Sequence, residues 1–156
     1  MMTLDMIMST DLITITPQEN LAAARSLMHD NKIHHLPVVD GDELVGLVTL
    51  TNVLAATDSF LREEENRIHA NEIIVRDMMV TDVATVDEHA TLRQAALFLE
   101  KHRIGCLPVM SDGKLIGIIT DTDFVAVAIN LLETIEETEF DEDIDEEIDE
   151  EIDEAI

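Results

Sequence analysis

The chain has 156 residues, with 35 Asp and Glu against 9 Lys and Arg, for a formal net charge of −26. That balance excludes the basic face of a nucleic-acid binder and opposes docking on an anionic membrane. The 3% aromatic content, without Trp or Tyr, removes the rings of a stacking surface, while 46% hydrophobic residues still allow one compact domain or two small halves sharing a core.

No apolar run is long enough to cross a bilayer. The N-terminal MMTLDMIMSTD has an early Asp5 and no positively charged region, so no signal peptide is expected. Cys106 is the single cysteine, which excludes an intrachain disulfide and fits a reducing compartment. The expectation is a cytoplasmic protein.

The charge is unevenly spread. Residues 133–156 hold 15 acids and no Lys or Arg. Removing them from the total leaves 20 acids and all 9 bases in residues 1–132, a net of −11. The body is moderately acidic and the tail is a separate object.

The body repeats itself at a period of 71 residues. Without a gap, the stretch from Met8 through IHHLPVVD to Leu54 aligns with the stretch from Met79 through IGCLPVMS to Val125. Thr10/Thr81, Asp11/Asp82, Leu21/Leu92, Ala24/Ala95, Ile33/Ile104, Pro37/Pro108, Gly46/Gly117 and Thr49/Thr120 all coincide.

Each repeat opens with a predicted strand, over 12–15 and 83–86. A helix start follows at Thr16-Pro17-Gln18-Glu19, with a capping hydroxyl, Pro at the first helical position and Glu at the third. Asp87 takes the capping role in the second repeat. Leu21, Ala24, Leu27 and Met28, and Leu92, Ala95, Ala96 and Leu99, recur at helical spacing. Two strands joined by a turn come next, 36–39 with 44–50 and 107–110 with 115–120. A second helix closes each repeat, near 52–56 and 122–132.

The expected architecture is therefore α/β (α+β), two β-α-β-β-α units packed about a pseudo-twofold axis. Repeat 1 covers 1–57, a linker helix 58–74, repeat 2 75–132 and the tail 133–156. Face-to-face packing leaves paired clefts lined by strand ends and helix N-termini, which favour anions.

The segments IHHLPVVD and IGCLPVMSDG, GLVTLTN and GIITDTD, and MSTDLITI and MVTDVATV resemble the cystathionine β-synthase (CBS) domain, and the pair resembles a Bateman module. The resemblance covers residues 4–132. It implies a regulatory module for an adenosine-containing ligand such as AMP, ADP, ATP or S-adenosylmethionine. No cofactor is required, though Mg²⁺ could accompany the nucleotide.

In the family's G-h-x-h-[ST]-x-x-D pattern the hydroxyl meets phosphate and the Asp accepts from ribose. Thr120 and Asp123 match. A carboxylate suits a cis-diol, and a hydroxyl at a helix start adds a donor. Both residues could instead cap the helix. In repeat 1 the pair is Thr49 and Asn52, with one acceptor oxygen and no charge, so the reading is one good and one degraded site.

The resemblance also places basic residues near the phosphates, at Lys32, His34 and His35 or their counterpart Arg103. In an extended strand only one of His34 and His35 can face the cleft. Gly105 and Cys106 are small enough to admit a flat base, and the adenine slot is expected near Val83, Ala84 and Pro108.

Other chemistry is poorly supported. Cys106 and His102 carry no metal-site spacing, no nucleophile motif or P-loop occurs, and Asp141, Asp143 and Asp145 lack the turn Gly of a calcium loop. No metal site and no enzyme activity are expected.

Two functions compete. One is a nucleotide sensor signalling through a changed interface with an unknown protein partner. The other is a ligand-free dimeric scaffold acting through its acidic tail. A homodimer is expected because Phe124, Val125, Val127, Ala128, Leu131 and Leu132 form an apolar helix. In the tail, Phe140, Ile144, Ile148, Ile152 and Ile156 recur every four residues. That spacing predicts a helix formed on docking; the dense charge equally fits a disordered extension.

Overall fold

A computed structural model describes residues 2–61 and 71–154. Residues 62–70, the middle of the expected linker helix, lie outside them. The chain divides into two units, Met1–Thr120 and Asp121–Ile156.

In the first unit, α1 (Leu21–Asn31) leads into the hairpin β1 (His35–Asp40) and β2 (Glu43–Thr49), followed by α2 (Leu50–Leu61). After one short turn of helix, α3 (Val75–Met78), the pattern recurs. β3 (Val86–Asp87), α4 (Leu92–His102), β4 (Cys106–Ser111) and β5 (Lys114–Thr120) follow. Both hairpins are antiparallel and share a register, with His35 opposite Thr49 and Cys106 opposite Thr120.

Two local expectations fail, and in both repeats alike. The helix caps are Asn20 and Thr91, four residues beyond Thr16 and Asp87. Asn20 accepts from the Ala23 amide at 2.9 Å, and Thr91 forms a reciprocal box with Gln94. The segment from Thr16 instead closes a turn, with the Glu19 amide donating to the Thr16 carbonyl, and Asp87 accepts from the His89 amide. The opening strands also shrink. Residue 15 makes one parallel bridge with Val38, and β3 has two residues pairing with β4. The preceding residues leave the ladder to line the clefts.

The opening segments are exchanged between repeats. Ser9 trades two backbone hydrogen bonds with Ile118 of β5, and Val80 trades two with Leu47 of β2. Thr3 bridges Thr91, and Ile74 bridges Asn20. Each pair maps onto the other by the 71-residue period, which is the signature of a pseudo-twofold. The core follows the exchange. Val75 is fully buried among Ile15, Leu21, Ala24, Leu36, Val38, Val48 and Val53 of repeat 1. Gly46 and Gly117 mark the crossings. A Cβ at Gly46 would lie 2.5 Å from Met79 Sδ, and one at Gly117 2.6 Å from Met8 Sδ.

The second unit is the single helix α5 (Asp121–Glu154). It contains the expected second helix of repeat 2 and runs on through the acidic segment without a break. At 1.5 Å per residue it is about 50 Å long.

Candidate ligand-binding cleft

The exchange positions a cleft. After pairing with β2, the chain at Val80 runs past Asp82, Val83 and Ala84. Opposite it, α4 ends at Arg103, whose φ of 52° is left-handed and whose amide bonds back to Leu99 and Glu100. That reversal sends Ile104 and Gly105 into the cleft before β4 begins at Cys106. Repeat 1 supplies His35, Leu47, Thr49 and Thr51. Together these residues enclose about 350 Å³.

The lining is divided in character. Leu47, Val80, Val83, Ala84, Ile104 and Cys106 form an apolar slot, while Thr49, Thr51, Asp82 and Arg103 supply hydroxyls and both signs of charge. Such a surface suits a flat, weakly polar ring joined to a polyhydroxyl or anionic group. Thr49 stands at the start of α2, where the helix dipole favours negative charge.

Thr49 and Asn52 are engaged with one another. Asn52 Oδ1 accepts from the Thr49 amide at 3.1 Å and from its hydroxyl at 2.7 Å, and Thr49 Oγ1 accepts from the Asn52 amide at 3.2 Å. The T-x-x-N of repeat 1 is thus a reciprocal cap on α2.

The pseudo-equivalent cleft is smaller. Ser9, Asp11, Leu12, Ile13, Ile33, His35, Pro37 and Ile118 enclose about 60 Å³.

The structure gathers Thr49, His35, Val83, Ala84, Gly105 and Cys106 around the larger cavity. His34, on the opposite side of the strand entry, is exposed, and its carbonyl accepts from Leu50. Pro108 is fully buried in β4. Asn52 reaches the cavity only through Thr49. Thr120 ends β5, and Asp123 lies in the first turn of α5. Sequence reasoning missed Leu47, Thr51, Val80, Asp82 and Ile104, and it named Arg103 only as a counterpart of Lys32. The 71-residue repeat marks Asp82 and Val80 as equivalents of Asp11 and Ser9, but it gives no sign that their segment crosses to the other repeat.

Among the described residues, no group of three or more His, Cys, Asp or Glu could hold a metal ion, and no helix is long and apolar enough to cross a membrane. The shifted titrations lie at an exposed pair. His89 Nδ1 and Asp87 Oδ1 are 2.7 Å apart; the hydrogen bond holds the His89 pKa above its ordinary value, and the His89 amide and ring hold Asp87 below its own.

The family model of the CBS domain matches residues 4–59 and 75–130. A CBS domain-containing protein of Dictyostelium discoideum is 34% identical, with 83% of this chain and 92% of that protein covered. An inosine-5'-monophosphate dehydrogenase of Korarchaeum cryptofilum is 35% identical over 72% of this chain; the match spans only 21% of that enzyme. Among solved structures, a candidate acetoin utilization protein (AcuB) from Vibrio cholerae is 39% identical with a TM-score of 0.74, covering 88% of this chain and 97% of that one. CBSX2, solved in complex with AMP, is 29% identical with a TM-score of 0.70, covering 83% and 97%.

Proposed function

The chain belongs to the CBS-domain family as a tandem pair, and from that premise we propose that it is a regulatory module that binds an adenosine-containing ligand between its repeats and signals through a changed protein interface. The carrying observation is the cavity of about 350 Å³ at Thr49, Ala84, Gly105 and Cys106, with an apolar slot beside hydroxyl and charged groups. In this reading the base lies against Val83, Ala84 and Cys106. The ribose reaches Thr49 and Asp82, and the anionic end meets Arg103 and the start of α2. The AMP complex of CBSX2 supports the ligand class. Mg²⁺ would accompany a di- or triphosphate.

A second reading assigns the ligand contacts to Thr120 and Asp123, because there the T-x-x-D is intact. Asp123→Ala would then weaken binding by roughly 1.5–3 kcal/mol through lost charge-assisted bonds.

The output surface we propose is α5. Val125, Ile129, Leu131, Leu132, Ile135 and Phe140 are each more than half exposed, an apolar face suited to a second copy or another protein in the cytoplasm. No catalytic role is proposed; the dehydrogenase match covers a fifth of that enzyme.

Calorimetric titration of the full chain with AMP, ADP, ATP and S-adenosylmethionine, with and without Mg²⁺, tests the ligand. Saturable binding of one of them is expected. No heat with any of the four would leave the ligand-free scaffold.

A further inference from the structure

We infer that α5 is the docking face for a basic amphipathic helix of a different protein. This rests on the reading of α5 as the output surface and names its partner. Val125, Ile129, Leu132 and Phe140 are each more than half exposed, and at 100° per residue they fall within about 80° of one another around the helix. Anchors at i, i+4 and i+7 are the pattern on which a second helix docks. In sequence, Ile144, Ile148 and Ile152 continue in four-residue steps from Phe140. The family match ends at residue 130, so most of α5 lies beyond what the CBS pair accounts for. Charge selects the occupant. The 15 acids of residues 133–156, with Asp121 and Asp123, give α5 17 acids in 34 residues, and it holds no Lys, Arg or His. A second copy would set 17 acids against 17, and like charges across an interface oppose pairing. The rest of the chain carries 35 − 17 = 18 acids against all 9 Lys and Arg, so it offers no basic counterpart either. Anionic membranes and nucleic acids have the wrong sign. Acids spaced i, i+4 on one helix repel each other. A row of Lys or Arg beside them relieves that repulsion while the apolar side of the same partner covers the stripe.

Fluorescence anisotropy of a labelled Leu/Lys peptide of about 18 residues, five turns with Leu along one face, tests this on the full chain. Its control is a peptide of the same composition, reordered so that no face is apolar. Saturable one-to-one binding of the first is expected, about tenfold or more tighter than the second and weakening as salt rises. Leu132→Gln combined with Phe140→Gln leaves the charge unchanged and should bring the first peptide down to the affinity of the second. Circular dichroism establishes that this variant keeps its helix, and the comparison of the two peptides on wild type stands whether or not it does. Light scattering is expected to give the same mass for both proteins. Equal binding of the two peptides, or a folded variant that binds like wild type, overturns the inference. A wild-type oligomer that the variant loses makes the occupant a second copy, which overturns the inference but keeps α5 as the output surface. No binding of either peptide, with the same mass for both proteins, overturns both.

Discussion

Thr49 and Asn52 satisfy each other across the first turn of α2: the Asn52 Oδ1 takes both the amide and the hydroxyl of Thr49, at 3.1 and 2.7 Å. The side chain that stands at the ribose-binding position of the family pattern is therefore committed to holding a helix start.

Two substitutions at this position separate the two roles. Asn52→Ala removes the acceptor for the Thr49 amide and hydroxyl, leaving the bond from the residue 52 amide to Thr49 Oγ1, and should cost about 1 kcal/mol, a fall in melting temperature of about 3 °C. Asn52→Asp keeps an acceptor for Thr49 and adds charge, so stability should hold. Its carboxylate adds negative charge at the start of α2, where the anionic end of AMP is proposed to lie, so AMP binding should weaken several-fold. Thermal melts and titrations of both variants check this. Equal melting of all three proteins would contradict the capping account.

Val75 stands at the head of repeat 2 yet fills the core of repeat 1. Val75→Ala should cost roughly 2 kcal/mol through the cavity it leaves. Because the segments are exchanged, both repeats should unfold together. Urea denaturation followed by probes in each repeat should give coincident transitions. Two separated transitions would show that the exchange does not couple them.

At the crossing, Gly46→Ala puts a methyl group against Met79 Sδ, with the Val80 carbonyl oxygen at 3.0 Å behind it. Overpacking of this kind costs about 1–3 kcal/mol. Met79→Ala should recover part of that loss, so the double mutant should be more stable than the sum of the single effects. Strict additivity would mean that the two residues do not meet.

The exposed pair Asp87–His89 gives a signed pH dependence. The His89 pKa is raised from 6.5 by the Asp87 hydrogen bond and charge, so its contribution is complete below 6.5 and is lost as pH rises through the raised value. The Asp87 pKa is lowered from 3.8, so its contribution is present above 3.8 and is lost as pH falls through the lowered value. The pair therefore stabilises the fold between about 4 and 6.5. Asp87→Asn should move the His89 titration, followed by NMR, back toward 6.5. An unmoved titration would mean that the contact does not persist in solution.

Much of this architecture is legible in the sequence, because binary pattern and turn chemistry are local. The hairpins of β1–β2 and β4–β5 and the helices α1 and α4 lie where the periodicity puts them. The caps are not, because Thr16 and Asn20, and likewise Asp87 and Thr91, are all competent capping residues, and only tertiary context selects the later one. The exchange of Ser9 and Val80 is not legible either, since a repeat defines its own elements and not the sheet its opening segment joins. Val83, Ala84, Gly105 and Cys106, which the sequence places at the expected adenine slot, line the larger cavity together with Thr49, while Thr120, whose T-x-x-D is intact, ends β5. The cleft joins the end of one repeat's hairpin to the start of the other repeat.

The most direct measurement is a methyl NMR titration of the full chain, labelled at Ala and Ile, with AMP. Ala84 lines the larger cavity and Ile13 its equivalent, so one spectrum reports both clefts. Binding between the repeats at Thr49 predicts a saturable shift of the Ala84 methyl, with Ile13 unmoved. A shift at Ile13 with Ala84 silent would place the ligand in the smaller cleft, and no shift at either methyl with AMP, repeated with ADP, ATP and S-adenosylmethionine, would contradict the account.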